Sequence, residues 1–273
     1  MTDSSELVVP VLPLVATALS AGVLSAGGLL AYSVFSPRCQ FWAPVVRSLP
    51  SREEVALTFD DGPHPEFTAG ILDVLAKERV KGTFFVIGRI AKEYPSMVRR
   101  MVEEGHAVGN HSFDHEHFGV NKNRAYWDGQ IRETQRVVME ITGKAPVLFR
   151  PPMGFKTWHI AGAAKAVGLP MIGWSVRAFD TQAIGAQELT RRVVKKTSGH
   201  DIVLMHDGMD PHRKGGSGGE VSQKQTVEAL PGVIAGIREK GLRIVPLVEA
   251  LVAGAREHEE AARRVAARQG GTA

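Results

Sequence analysis

Two groups of ionisable residues in this sequence have the types and the spacing of a metal site. Asp60 and Asp61 are adjacent carboxylates at the end of an apolar run, and His111 and His115 lie four positions apart further along the chain. One carboxylate and two neutral imidazoles form a ligand set that suits a transition metal better than magnesium or calcium. The sequence therefore indicates a metal-assisted hydrolase, in which the second carboxylate is a candidate base.

The residues around these groups predict how they are held. Residues 55–59 form a short β-branched and aromatic run followed by turn residues, which is typical of a buried strand. Side chains of an extended chain alternate, so Asp60 and Asp61 can face different targets. The spacing of His111 and His115 fits two ligands on one face of a helical turn. Three protein ligands leave positions open for water and substrate, as in catalytic metal sites.

Apolar runs alternate with helix-like stretches along most of the chain, which predicts a single α/β domain with a parallel sheet or barrel. The predicted strands are 55–59, 82–87, 107–110, 148–150, 171–174, 201–205 and 242–246. The predicted helices include 67–78, 95–104, 127–142 and 226–240. The candidate site residues follow predicted strands, where barrels build their active sites.

Two sequence motifs resemble those of the NodB-type polysaccharide deacetylases, carbohydrate esterase family four. They are Thr58-Phe59-Asp60-Asp61-Gly62-Pro63 and His111-Ser112-Phe113-Asp114-His115, and the resemblance covers about residues 55–248. It implies a distorted (β/α) barrel of the NodB homology type, with Asp60 as the catalytic base. It also implies one divalent metal ion, zinc in the first place, with cobalt, iron, manganese or nickel as alternatives. The implied metal ligands are Asp61, His111 and His115.

Two later motifs extend the resemblance. Arg150-Pro151-Pro152-Met153-Gly154 resembles the third family motif, and residues 202–207 resemble the fifth. The resemblance implies that Arg150 orients Asp60 and that His206 is the general acid. The implied substrate contacts are Pro151, the backbone N–H of Met153 as an oxyanion donor, and Leu204 in the acetyl pocket.

The fourth motif departs from the family pattern D-x-x-D-W, because this chain has Arg177-Ala178-Phe179-Asp180-Thr181. Asp180 matches the second Asp of the pattern, which in the family is the partner of the acid histidine. Arg177 replaces the first Asp, and Thr181 replaces a Trp that walls the sugar site. We therefore expect Arg177 to contact substrate, with altered substrate choice and unchanged chemistry.

Composition restricts the partners. The chain has 273 residues and a formal net charge of +4, and its basic residues are scattered without interleaved aromatics, which argues against nucleic-acid binding. We expect the basic pairs at 191–192 and 195–196 to lie on a solvated helix face. Cys39 is the only cysteine, so an intrachain disulfide and a cysteine-rich zinc cluster are both excluded. The expected partner is an N-acetylated glycan.

The N-terminal part differs from the rest, because residues 7–36 contain no charged side chain and are long enough to span a bilayer. No Lys or Arg precedes them, which argues against a secretory signal peptide and predicts an uncleaved single-pass anchor over about 14–35. Arg38, Arg47 and Arg52 follow the span and favour a cytoplasmic catalytic domain. The glycan substrates of the family favour the extracytoplasmic side, which we adopt. The predicted layout is anchor 1–36, linker 37–52, deacetylase domain 53–252 and charged tail 253–273.

The leading functional prediction is hydrolysis of the acetamido group of N-acetylated sugars in chitooligosaccharide, peptidoglycan or another polysaccharide. Three alternatives stay open: an O-acetyl esterase acting on glycans, a deformylase acting on a lipid-linked amino sugar, and a non-catalytic glycan-binding module. The departure at the fourth motif favours the last of these, whereas Asp60, His206 and the three metal ligands argue against it.

Overall fold

The computed structural model describes residues 27–36, 38–117, 119–209 and 223–270. The strands are β1 (Val45–Val46), β2 (Glu54–Asp60), β3 (Thr83–Val86), β4 (Ala107–Asn110), β5 (Met171–Ile172), β6 (Val176–Arg177), β7 (Ile202–His206) and β8 (Arg243–Ile244). The helices are α1 (27–35), α2 (Phe67–Lys77), α3 (Gly88–Glu93), α4 (Pro95–Glu103), α5 (Arg124–Thr142), α6 (Trp158–Ala166), α7 (Ala186–Lys196), α8 (Lys224–Glu239) and α9 (Leu247–Gly270).

The centre of the fold is a parallel sheet with the strand order β4-β3-β2-β7-β6, and β8 pairs with the start of β2. Strands β1 and β5 form a separate parallel pair. Phe149 connects the two groups, because it forms parallel bridges to Asn110 of β4 and to Met171 of β5. The sheet therefore curves into a distorted barrel. The predicted strand at 148–150 is reduced to these two bridges at Phe149, since Pro151 and the residue after it have no N–H to extend a ladder.

The alternation of side chains along β2 separates two apolar layers. Val55, Leu57 and Phe59 face outwards and pack in the cluster that includes buried residues of α2, α7 and α8. Ala56 faces inwards, in a second cluster that includes Phe85 of β3 and residues of β7. Because side chains alternate along a strand, the inward side of β2 also carries its last residue into the centre of the barrel.

The segment before β2 is part of the folded domain. The predicted linker, 37–52, contains β1, and both Val45 and Leu49 are buried. Helix α9 occupies most of the predicted charged tail. The predicted membrane span over 14–35 lies outside the described residues as far as position 26. Among the residues that the structure describes, no helix has both the length and the apolar character needed to cross a bilayer.

Candidate active site

The predicted catalytic residues meet at the carboxyl end of the parallel strands. Asp60 and His206 are the last residues of β2 and β7, and they are directly paired in the sheet register. His111 follows the last residue of β4, and Arg150 follows the bridging residue Phe149. The carboxyl ends of the strands of a parallel barrel lie on one face, so these side chains from four separate parts of the sequence lie close together there.

Asp61, His111 and His115 form a buried cluster whose possible ligand atoms all lie within 4.8 Å of one another. The carboxylate oxygen Asp61 Oδ1 lies 3.4 Å from His111 Nε2 and 3.2 Å from His115 Nε2. The structure gives this buried oxygen no hydrogen-bond partner among the described residues. An acceptor oxygen facing two ring nitrogens fits the donor set of a divalent transition metal.

One further contact fixes which nitrogen of His111 faces this cluster. The other ring nitrogen, Nδ1, lies 2.7 Å from the carbonyl oxygen of Arg150, so it carries the proton and donates to that carbonyl. Nε2 is then the ring nitrogen that faces Asp61. Metal-binding imidazoles are commonly held by a hydrogen bond of this kind.

The pKa of Asp61 also reflects the cluster. Burial would raise the pKa of this carboxyl, but the neighbouring His115 and His111, with His206, outweigh burial and hold the pKa below its usual range. The side chain is therefore ionised throughout the physiological pH range, as a metal ligand must be.

The segment that carries the two imidazoles is a loop, and the prediction of a helical turn was wrong. Ser112 and His115 have left-handed backbone angles, with φ of 66° and 56°. Side chains take the place of helical hydrogen bonds here: Asn110 Oδ1 accepts from the N–H of Ser112 at 2.9 Å. Gln130 Oε1 of α5 accepts from the next two backbone N–H groups at 3.0 and 2.8 Å. The two histidines four positions apart are therefore brought together by a loop whose shape depends on tertiary contacts.

Arg150 holds the second carboxylate. Its guanidinium is fully buried and donates to Asp60 Oδ1 at 2.6 Å, to Thr58 Oγ1 at 2.8 Å and to the carbonyl oxygen of Gly173 at 2.9 Å. The guanidinium carbon lies 4.1 Å from the centre of the Phe85 ring. Because the planar guanidinium is held by several contacts, it fixes Asp60 in one orientation. The other carboxylate oxygen of Asp60, Oδ2, lies 3.7 Å from His111 Nε2.

His206 is paired with Asp180 on the opposite side of the cleft. Its Nδ1 lies 2.8 Å from Asp180 Oδ1, and its backbone N–H donates to Oδ2 at 2.7 Å. Burial would lower the pKa of His206, but the charge and hydrogen bond of Asp180, together with Asp61 and Asp60, raise it to about 9. The imidazole is therefore protonated at neutral pH, which is the state required of a general acid.

Sequence reasoning missed the residues that hold Asp180. The hydroxyl of Thr226 in α8 donates to Asp180 Oδ2 at 3.0 Å, and Gln225 donates to the backbone carbonyl of Asp180. No local motif marks these two residues, because their role depends on how α8 packs against the loop after β6.

Asp207 is a second residue that sequence reasoning left without a role. Its Oδ2 accepts from the hydroxyl of Thr68 at 2.6 Å, and a Cβ at Gly62 would lie 2.0 Å from the same oxygen. The pKa of Asp207 is raised to about 7, and burial is the largest cause. The Thr68 hydrogen bond lowers this pKa, whereas the negative charge of Asp61 raises it further. The carboxyl thus fills the space beneath the turn after Asp61, which explains why a glycine occupies position 62.

The predicted substrate contacts differ in exposure. Pro151 is buried. Leu204 is buried in the barrel interior, two residues before His206 on the same face of β7. Met153 is exposed and has a left-handed backbone with φ of 57°, so its side chain stands out of the cleft rim. Arg177 is also exposed, and its guanidinium carbon lies 5.1 Å from the ring centre of Phe179.

A buried Asp-His-His set that could hold a metal ion lies between an Arg-bound carboxylate and a protonated histidine, and this arrangement defines a hydrolase site. The sequence profile described as polysaccharide deacetylase matches residues 48–172. A peptidoglycan-N-acetylglucosamine deacetylase of Bacillus cereus is 34% identical over 197 residues, which are 72% of this chain and 68% of the relative. The chain belongs to the polysaccharide deacetylases of carbohydrate esterase family four, which hydrolyse the acetamido group of N-acetylated sugars.

Two further similarities cover most of the other protein. A chitooligosaccharide deacetylase of Azorhizobium caulinodans is 33% identical over 72% of this chain and 94% of its own length. A crystal structure of a peptidoglycan N-acetylglucosamine deacetylase superposes with a TM-score of 0.69 at 32% identity, over 76% of this chain and 92% of that one. The NodB-like α/β fold predicted from the motifs is confirmed by this match.

Proposed function

We propose that this chain is a metal-dependent deacetylase that acts on N-acetylglucosamine residues of a peptidoglycan-type glycan. One observation carries the proposal. Asp60 and His206 are paired across β2 and β7, and the buried cluster of Asp61, His111 and His115 lies beside them. The relatives named as peptidoglycan and chitooligosaccharide deacetylases support the same chemistry.

Asp61, His111 and His115 would hold one divalent ion, with zinc as the leading candidate. Such an ion, when bound, polarises a carbonyl oxygen and lowers the pKa of its water. The chain supplies two neutral imidazoles and one carboxylate, a set that zinc shares with cobalt, iron, manganese and nickel. Elemental analysis of the purified protein identifies the ion.

Asp60 is proposed as the base that accepts a proton from the attacking water. Its oxygen Oδ1 is bound to Arg150 at 2.6 Å, so the second oxygen is the one directed at the cleft. Arg150 is thus a positioning residue that keeps the carboxylate in place. The backbone N–H of Met153 is the proposed donor to the developing oxyanion, because the left-handed backbone there turns the chain at the cleft rim.

His206 is proposed as the acid that delivers a proton to the leaving nitrogen. An amine cannot leave as an anion, so cleavage of an amide requires this proton, whereas an ester can release its alcohol with less assistance. Asp180 holds His206 protonated at neutral pH, since the pKa lies near 9. That arrangement meets the requirement of N-deacetylation. Leu204, buried below the histidine, is proposed to contact the acetyl methyl group, and Pro151 to shape the same wall.

A single-pass N-terminal anchor with an extracytoplasmic catalytic domain is also part of the proposal. It is supported by the uncharged residues 7–36 and by the exposed Tyr32 and Phe35 at the end of that stretch. Full-length protein should then remain with membranes after alkaline carbonate extraction. Protease treatment of intact and lysed cells, with the C-terminus followed by antibody, reports the side of the membrane.

A substrate panel tests the activity. Chitooligosaccharide, peptidoglycan, acetylated xylan and a formylated lipid-linked amino sugar are incubated side by side with the metal-loaded protein. Acetate release from the first two, and its loss after chelation and return after metal addition, is the expected result. Product from xylan alone or from the formylated sugar alone would replace this proposal by the esterase or the deformylase. Absence of product from all four would favour the non-catalytic glycan-binding module.

A further inference from the structure

A group of basic side chains lies next to the residue that precedes Asp180. They surround a surface cavity of about 370 Å³ between the loop after β6 and helix α7. The residues lining it are Phe179, Gln182, Arg191, Arg192, Lys195 and Lys196. The wall of this cavity begins one residue from Asp180, whose carboxylate holds His206. Neighbouring Cα atoms are about 3.8 Å apart, so the cavity begins beside the residue that holds the catalytic acid.

The ring of Phe179 contacts cations from two different elements. Its backbone has a left-handed φ of 62°, which is uncommon for an aromatic residue. The guanidinium carbon of Arg177, from β6, lies 5.1 Å from the ring centre, and Lys196 Nζ, from α7, lies 5.2 Å from it. A ring face attracts a cation, but two cations on one ring repel each other. The contacts therefore leave positive charge that an anion would neutralise.

The charge balance of the group points the same way. Arg191 and Arg192 share one carboxylate, Glu188, at 2.7 and 2.6 Å. Within the described ranges, no carboxylate forms a salt bridge with the other three cations, which are Arg177, Lys195 and Lys196. Five cations and one carboxylate give this group a net charge of +4. The group is therefore a local region of positive potential that attracts anions.

Helix α7 alone does not account for this arrangement. Lysines in the last turn of a helix interact favourably with its carboxyl end, which suffices to explain Lys195 and Lys196 on a solvated face. It explains neither the exposed arginine at position 177, on a different element, nor the left-handed Phe179 that both cations contact. These two features belong to the segment that departs from the family's fourth motif.

We propose that Arg177, Lys195 and Lys196 form an anion-binding subsite that takes a carboxylate of the glycan strand being deacetylated at His206. This inference rests on the proposed function and specifies its substrate. Peptidoglycan strands carry carboxylates on their peptides, and removal of a peptide frees a lactyl carboxylate, whereas chitooligosaccharides carry none. Guanidinium and ammonium groups bind carboxylates by charge-assisted hydrogen bonds. The subsite therefore selects peptidoglycan over neutral chitin fragments.

Three substrates separate the sources of the carboxylate: chitotetraose, peptidoglycan strands with their peptides, and the same strands after an amidase has removed the peptides. The full-length, metal-loaded protein is compared with the variant Arg177→Gln/Lys195→Gln/Lys196→Gln. The matched control, Arg132→Gln/Lys144→Gln/Lys165→Gln, removes three exposed cations elsewhere on the surface. Arg177→Gln alone gives a milder change if the triple variant unfolds.

The expected result is a fall of about tenfold in the ratio of kcat/KM on peptide-bearing strands to kcat/KM on chitotetraose, because each exposed ion pair contributes a few-fold. The loss should lie in KM, and added salt should erase the preference of the unmodified protein. A fall confined to peptide-bearing strands assigns the site to a peptide carboxylate, and a fall on both strand types means that the lactyl carboxylate freed by the amidase is bound as well. An unchanged ratio, or an equal fall in the control, overturns the subsite. If the unmodified protein releases acetate from none of the three, the proposed function itself fails.

Discussion

The carboxylate of Asp180 binds His206 twice, once at the ring and once at the backbone. Oδ1 lies 2.8 Å from the ring nitrogen Nδ1, and Oδ2 accepts the backbone N–H of the same residue at 2.7 Å. Two contacts between the same pair of residues fix both the orientation of the imidazole and its charge. The charge follows because a buried carboxylate stabilises imidazolium over neutral imidazole.

Replacing Asp180 by Asn should lower the pKa of His206 and move the loss of activity to lower pH. In the unmodified protein this pKa is raised to about 9, so the donating form is present below that pH and is lost above it. Without the carboxylate, the basic limb of the kcat profile should shift towards neutral pH, with metal content unchanged. Thr226→Val, which removes only a hydroxyl donor to Asp180, should shift it less. A basic limb at the same pH in Asp180→Asn would contradict the assignment.

Asp60→Asn should reduce kcat by roughly 10²–10⁴-fold, the range expected when a positioned base is lost. Asn preserves the shape of the side chain and can still contact Arg150, so the fold and the metal content should be retained. Rapid-quench or steady-state acetate release gives kcat, and elemental analysis gives the metal content. A variant with full activity would remove Asp60 from the role of base.

His111→Ala and His115→Ala should each lower metal occupancy, because each removes one of the three atoms that converge within 4.8 Å. The metal content of purified protein is measured by elemental analysis after dialysis. His159→Ala in α6 is the matched control and should retain the metal, since that histidine lies outside the cluster. Full occupancy in both site variants would show that the ion is bound elsewhere.

Gly62→Ala should destabilise the protein by about 1–3 kcal/mol, the usual range for overpacking a filled site. The added Cβ would lie 2.0 Å from Asp207 Oδ2, so one of the two must move. Asp207→Ala removes the obstructing carboxyl, and the double variant should therefore lose less than the sum of the single losses. Urea unfolding of the four proteins measures this coupling. Additive losses would mean that the two positions do not compete for the same space.

The central strands could be predicted because each is a buried apolar run bounded by polar or turn residues. Predicted and observed limits of β2, β3, β4 and β7 agree to within one residue. The two-residue strands β1 and β6 have too little sequence for any periodicity, and the strand predicted at 148–150 ends at a proline. The general architecture was thus accessible from the sequence, whereas the closure of the barrel was not.

The same division holds at the site. Asp61, His111 and His115 are named by motif, and the structure brings them together. The loop conformation between the two imidazoles depends on Gln130, a residue of a helix that packs over it, and no local pattern encodes that contact. Interactions between residues distant in sequence, including those of Thr226 with Asp180, become visible only when the chain is folded.

The buried Lys156 has a mechanical consequence. Its Nζ donates to the carbonyl of Ser36 at 2.7 Å, its backbone N–H donates to the carbonyl of Val34 at 3.1 Å, and Phe35 meets Phe155 edge to face at 4.9 Å. Helix α1 is thereby fastened to the loop that begins at the cleft rim. In a protein anchored by its N-terminus, these contacts would hold the active site at a fixed distance from the membrane. The enzyme would reach only glycan strands at that distance, and lengthening or shortening the segment before helix α1 would change which strands are deacetylated.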